Sequence, residues 1–214
     1  MVTGLVVGFD LDMTLVDSRP GIAATLTELE FETGAPVATD EMLDALLRRN
    51  LDLEFGERFE ADLATTWADR FRELYVVHGV PGTHLLPGAL ESVAAVRALG
   101  GRCIVVTAKY DPNARRCLDH VGLDVDSVFG WRYADAKGET LRDEGAAVYV
   151  GDTPNDVRAA KQAGAHMVAV TTGPHREAEL RAAGATTVLD SLASFPQWLP
   201  AHLDEARRGH QNGV

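Results

Sequence analysis

The chain is poor in cysteine and in positive charge, and it has no long apolar run. Its two cysteines, Cys103 and Cys117, have neither CxxC spacing nor a metal-ligand partner nearby, which excludes a disulfide framework and a cysteine zinc site. Both fall in segments that read as a strand and a helix, where free cysteine serves as a small buried hydrophobe, and a reducing compartment suits them. No apolar stretch approaches the roughly 20 residues that cross a bilayer. Residues Met1 to Asp10 also lack the basic start and small-residue cleavage site of a signal peptide. A soluble, cytoplasmic protein without a membrane partner is expected. Lysine and arginine total 20 against 32 aspartates and glutamates, a net charge of −12. A chain so acidic repels polyanions, so nucleic acid is not expected as a partner. The imbalance is concentrated between Val16 and Leu86, a stretch of net charge −8 without a single lysine.

What is present is apolar pattern. Leu5-Val-Val-Gly-Phe9 is a continuous run ending at Asp10, the signature of a strand buried on both faces. Apolar residues then recur at helical spacing over Gly21 to Thr33, Asp40 to Asn50 and Ala61 to His78. In the last segment Leu63, Trp67, Phe71, Leu74 and Tyr75 form one stripe. Trp67 and Phe71 read as packing residues of this unit, and Thr39 is placed to cap the second helix. With no strand signal before Cys103, residues 16–86 read as an inserted bundle of four helices. From Pro87 strands and helices alternate: strands over Cys103 to Thr107, Ser127 to Phe129, Ala146 to Val150, Met167 to Thr171 and Thr187 to Leu189, with helices over Gly88 to Leu99, Asn113 to His120 and Val157 to Ala163. This rhythm predicts an α/β fold, a doubly wound parallel sheet built from residues 1–15 and 87–206 and interrupted by a helical cap. The polar residues 207–214 are expected to fray.

In open parallel sheets ligands bind beyond the carboxyl ends of the strands, where strand order reverses. Asp10 and Asp12 follow the first strand, Thr107 closes the second, and Asp152 and Asp156 follow the third. Four carboxylates converging on one edge require a cation. An all-oxygen donor set without histidine or cysteine favours a hard ion such as Mg2+. With charge cancelled by the metal and a lysine, Asp10 is the natural nucleophile toward phosphorus. Asp12, two residues on and on the same side of an extended chain, is placed to act as acid and then base. Thr107 offers a hydroxyl to a phosphoryl oxygen, Lys137 would stabilise developing charge, and Asp152 with Asp156 in support would hold the metal. Each residue alone has a plainer reading: Asp-x-Asp is common, Thr107 could satisfy a strand end, Lys137 could be a solvated helix residue, and Asp152 could cap a helix. Their joint order carries the inference.

That order resembles the haloacid dehalogenase superfamily. Asp10-Leu-Asp-Met-Thr-Leu-Val-Asp-Ser18 looks like its first motif, Val105-Val-Thr-Ala-Lys109 its second, Lys137 its third and Gly151-Asp-Thr-Pro-Asn-Asp156 its fourth. The helical insertion, Leu86-Pro-Gly88 and Ala160 to Ala165 are similar to the phosphoglycolate phosphatase-like branch. The resemblance implies a phosphatase acting on a small phosphorylated metabolite, with a phosphomutase or a non-catalytic phosphate-binding or signalling protein as alternatives. It adds the backbone carbonyl of Asp12 to Asp10 and Asp152 as metal ligands, and it leaves Lys109 as an alternative to Lys137. Thr107, Ala108 and Lys109 are expected to contact the substrate. The cap segment Leu47-Arg-Arg-Asn-Leu51 resembles the one facing the core in this branch, so Arg48 or Arg49 is expected to reach the non-phosphoryl end, the plainer reading being two solvated helix-end cations. Met13 stands where most relatives carry glycine, which matters if the position needs a positive φ. The chain could act as a monomer or a homodimer.

Overall fold

Residues 4–211 are described in the computed structural model. The chain opens with β1 (Val6–Phe9), and helices α1 (Arg19–Thr33), α2 (Asp40–Arg48), α3 (Leu51–Arg58) and α4 (Ala61–Leu74) follow. A π-helical turn at Tyr75–Gly79 and a 3-10 turn at Val80–Gly82 end the insertion. Two short strands, β2 (Val16–Asp17) and β3 (His84–Leu85), pair antiparallel where the chain leaves and re-enters the sheet domain. The sequence carries no recognisable signal for a two-residue ribbon, which corrects the expectation of no strand between Phe9 and Cys103.

The alternating part runs α5 (Ala89–Ala98), β4 (Arg102–Val106), α6 (Asp111–Val121), β5 (Ser127–Phe129), α7 (Asp135–Asp143), β6 (Val148–Gly151), α8 (Pro154–Ala163), β7 (His166–Val170), α9 (Glu177–Ala183), β8 (Thr187–Leu189) and α10 (Phe195–Gln211). Six strands form one parallel sheet in the order β5-β4-β1-β6-β7-β8. From β1 the chain builds outward through β4 and β5, then crosses back to place β6 on the other side of β1. The switch point therefore falls between β1 and β6, where Phe9 sits opposite both Val105 and Val150.

Alternation along the strands divides the core. One face joins Phe9, Val105 and Val150 to Phe195, whose ring meets Phe9 edge-on at 5.6 Å. The other gathers Ile104, Tyr149, Leu141, Met167 and Leu180. The unbroken apolar runs of β1, β4 and β6 follow from burial on both sides.

The insertion has the expected four helices, with boundaries set by local chemistry. Thr39 caps α2, accepting a hydrogen bond from the Met42 amide at 3.1 Å. That helix stops at Arg48, because Arg49 is extended and the Asn50 side chain accepts from the Asp52 amide to start α3. The expected stripe on α4 is displaced: Leu63 is exposed, whereas Ala64, Ala68, Phe71 and Leu74 are buried. The small alanines let the backbone approach its neighbours closely. Trp67 packs edge-on against Phe59 at 4.8 Å. At the other end, α10 continues through Gln211, so residues 207–211 of the tail are helical, and 212–214 lie outside the described residues.

Candidate active site

β1 delivers Asp10 to the sheet edge, its amide bonded to the Val150 carbonyl at 2.8 Å. β6 delivers Asp152 beside it. α8 then begins at Thr153, where a reciprocal pair of hydrogen bonds between Thr153 and Asp156 forms a capping box. Oxygens of Asp10, Asp152 and Asp156 lie within 4.8 Å of one another, all three residues buried. Glycine is required close by: a Cβ on Gly151 would stand 2.5 Å from the Asp156 carboxyl carbon, and one on Gly173 would stand 1.8 Å from Asp152 Oδ2.

The three carboxylates differ in their partners. Asp156 is saturated: Oδ1 accepts from Lys137 Nζ at 2.7 Å and from the Tyr149 hydroxyl at 3.1 Å, and Oδ2 accepts from the Thr153 amide and hydroxyl. Burial opposes its ionisation, yet Lys137 and the Thr153 bonds overcome that and hold it below the usual carboxylate range. Asp10 accepts from the Leu11 amide and has Lys137 Nζ at 3.3 Å. Burial dominates there and pushes its carboxyl up to about 7, against the pull of Lys137 and with help from Asp156 and Asp12. Among the described residues, Asp152 accepts only from the Thr14 hydroxyl, at 3.2 Å, and its buried Oδ2 has no partner. Burial, then the neighbouring Asp156 and Asp10, raise it well above the ordinary value. A buried carboxylate oxygen without a donor is costly unless a cation completes it.

Lys137 sits in the first turn of α7, its amide bonded to the Ala134 carbonyl at 3.1 Å. It bridges Asp10 and Asp156 and is 4% exposed. Burial lowers its basicity, but the two carboxylates outweigh that and raise it. Lys109 takes a different partner, Asp12 Oδ1 at 2.9 Å, with its ammonium 4.2 Å from the centre of the Tyr75 ring. The lysine in contact with Asp10 is thus Lys137. Thr107, buried at the end of β4, accepts from the Lys109 amide at 3.2 Å.

The cap closes over this edge. A cavity is lined from below by Asp10, Asp12, Thr107, Ala108, Lys137 and Asp152, and from above by Arg48 and Arg49. Both guanidiniums are engaged. Arg48 bonds Asp44 and donates to the Pro174 carbonyl at 3.0 Å, tying α2 to the loop after β7. Arg49 pairs with Glu54 and Glu57.

Several contributors were not singled out in the sequence. Thr14 holds Asp152, Tyr149 holds Asp156, and Thr172 donates to the Met13 carbonyl at 2.5 Å. Tyr149 could have been suspected, because a tyrosine inside a buried strand needs a partner for its hydroxyl. Met13 does adopt a positive φ, 60°. With Trp131 and Ala134 it makes three non-glycine residues with positive φ among those described; Ala134 lines the site and Trp131 an adjoining cavity. Such strain is kept where surrounding structure over-determines it.

A parallel sheet with its switch point at Asp10 and Asp152, and a helical insertion closing above, defines a hydrolase of the haloacid dehalogenase-like family. A model of that family matches residues 5–164, and the chain belongs to it. Among its relatives, a phosphoglycolate phosphatase from Rhodospirillum rubrum is 32% identical, with 89% of each chain covered. Another phosphoglycolate phosphatase, from Caulobacter vibrioides, is 28% identical over 92% of this chain and 91% of its own. Among solved structures, a predicted phosphatase from Clostridium acetobutylicum shares the fold with a TM-score of 0.80 at 22% identity, covering 92% of this chain and 98% of that one. Among the described residues no helix is long and apolar enough to cross a membrane.

Proposed function

We propose that the protein is a magnesium-dependent phosphatase that hydrolyses a small phosphorylated metabolite through an aspartyl phosphate on Asp10. The observation that carries this reading is the unequal pairing of the three carboxylates. Asp156 is spent on Lys137, Tyr149 and Thr153, whereas Asp10 and Asp152 present oxygens to a common point, one of them unpartnered.

The donor set fits a hard divalent ion, which Asp10 and Asp152 would hold together with the Asp12 carbonyl, with Asp156 behind them. When bound, Mg2+ supplies positive charge that keeps Asp10 ionised near neutral pH and tolerates a phosphoryl dianion beside it. Asp10 attacks phosphorus, forming an Asp10 O–P bond as the ester P–O bond breaks. The electron pair leaves with the ester oxygen, which takes a proton from Asp12 and departs as an alcohol. Water then gives its proton to Asp12 and its oxygen to phosphorus, releasing inorganic phosphate and restoring Asp10. Lys137, 3.3 Å from Asp10, offsets charge on the nucleophile and the phosphoryl oxygens, and Asp156 keeps it there. Lys109 holds Asp12 in place, and Thr107 offers its hydroxyl proton to the phosphoryl group.

The test is phosphate release from a panel of phosphomonoesters with Mg2+ and with EDTA. The relatives' name puts phosphoglycolate on that panel. Metal-dependent release that disappears in Asp10→Asn is expected. Release that persists in Asp10→Asn, or none from any ester, would overturn the reading.

A further inference from the structure

Beside the reaction centre lies a second cavity, which shares Asp12, Ala108, Leu46 and Arg49 with it. Since Asp12 is the residue placed to protonate the departing oxygen, this cavity lies on the leaving-group side. Four aromatic side chains line it, Phe71 and Tyr75 from the cap and Tyr110 and Trp131 from the core, beside polar ones that include Asn50 and Asn113. Tyr110 and Trp131 meet edge-on at 5.0 Å. Trp131 is 52% exposed and holds a φ of 52°, with its amide tied to the Lys109 carbonyl at 2.8 Å. A bulky side chain in that conformation is a true outlier, and the half-exposed indole is among the residues lining the cavity.

The charges in the cavity are already matched. Lys109 pairs with Asp12, Arg49 with Glu54 and Glu57, and Arg72 with Asp52 and Asp69. Arg72 also lies 5.8 Å and 5.3 Å from the Tyr110 and Trp131 ring centres, so its charge is further absorbed by the rings. Among the described residues, each of the three cations lining the cavity already has an acidic partner. A carboxylate entering here would have to displace an existing pair and would lie near Asp12 and Asp52.

We infer that the cavity between Tyr110, Trp131 and Phe71 receives the leaving group, and that this group is uncharged and carries a ring. The preferred substrates are then phosphomonoesters of ring-bearing neutral alcohols rather than of small hydroxy acids. This inference rests on the proposed phosphatase reaction and specifies its substrate class.

Benzyl phosphate and ethyl phosphate provide the test, because both release a simple alkyl alcohol and differ mainly in the ring. The protein with Mg2+ is expected to show a kcat/KM at least about tenfold higher for benzyl phosphate than for ethyl phosphate or phosphoglycolate, the scale of one stacked ring. Trp131→Gly suits the backbone at this position and should reduce the benzyl-to-ethyl ratio to within about threefold, mainly through KM, whereas Trp131→Phe should restore most of it. Equal turnover of all three esters, a preference for phosphoglycolate, or a ratio unmoved in Trp131→Gly would overturn the inference while leaving the phosphatase standing. Absence of metal-dependent turnover with every ester would remove the phosphatase reading and this one with it.

Discussion

Lys137 and Asp156 meet at 2.7 Å inside the protein, with side-chain exposures of 5% and 0%. A buried pair of this kind is weak as a source of net stability but expensive to break, since the remaining partner loses compensation, here leaving Lys137 with Asp10 at 3.3 Å. Asp156→Asn should therefore destabilise the fold by about 3 kcal/mol or more in urea melts. Asp152→Asn should behave oppositely. It removes a buried carboxyl that has an unpartnered oxygen, so the metal-free protein should lose nothing or gain slightly, while any stabilisation by Mg2+ disappears.

The pH dependence of metal-free stability follows from Asp10. Its folded carboxyl titrates at about 7, raised from 3.8 chiefly by burial. A raised acid contributes stability that is complete below its unfolded value and is lost as pH rises through the folded one. Asp152 is shifted the same way. In EDTA the melting temperature should fall between about pH 4 and pH 7. A cation binds the ionised carboxylates, so the gain in melting temperature on adding Mg2+ should grow over the same interval. A gain that is flat with pH would mean the ion binds elsewhere.

A second titration acts with the opposite sign at the far side of the sheet. The His166 ring lies 4.2 Å from that of His202, which stacks on Trp198, and burial followed by His202 lowers the His166 pKa below 6.5. The unfolded chain takes up this proton first, so stability is lost as pH falls through 6.5 toward the depressed folded value. His202→Gln removes one neighbour that opposes protonation. It should flatten the acid limb of the melting curve below pH 6.5 without altering the response to Mg2+.

Met13 sets two effects against each other. Its φ of 60° costs about 1–2 kcal/mol for a side chain with Cβ, which Met13→Gly would relieve. The side chain is fully buried, however, and emptying such a position costs about 2–5 kcal/mol. Burial should win, and Met13→Gly should unfold at lower denaturant than the parent.

Arg48 provides a test of cap closure. Its guanidinium reaches the Pro174 carbonyl and lies 3.5 Å from the His175 ring. Arg48→Met should raise KM by a similar factor for every ester tested, because it loosens the closed cap. A substrate-selective rise would instead assign the side chain to one substrate group.

The sheet was legible because doubly buried strands cannot hide: the apolar runs within Val6–Phe9, Cys103 to Val106 and Val148–Gly151 are continuous, each ending next to a residue of the site. The positions of Asp10, Asp12, Thr107, Asp152 and Asp156 around one edge follow from those endings, whereas Lys137 comes from the first turn of α7. What stayed hidden depends on contacts between distant segments. Nothing in the sequence says that Lys109 turns to Asp12 while Lys137 turns to Asp10, or that Thr14 reaches across to Asp152. The start of α3 was missed because Asn50 terminates one pattern and caps the next within two residues. The aromatic cavity draws Phe71 from one unit and Tyr110 and Trp131 from the other, so no single stretch of sequence contains it.

The ribbon formed by Val16–Asp17 and His84–Leu85 fastens both crossings of the chain side by side. An insertion attached through such a paired stem is a replaceable cassette. A different set of helices spliced between these two strands would face the same carboxylates at the sheet edge, so what the cavity admits could be rewritten while that edge stays untouched.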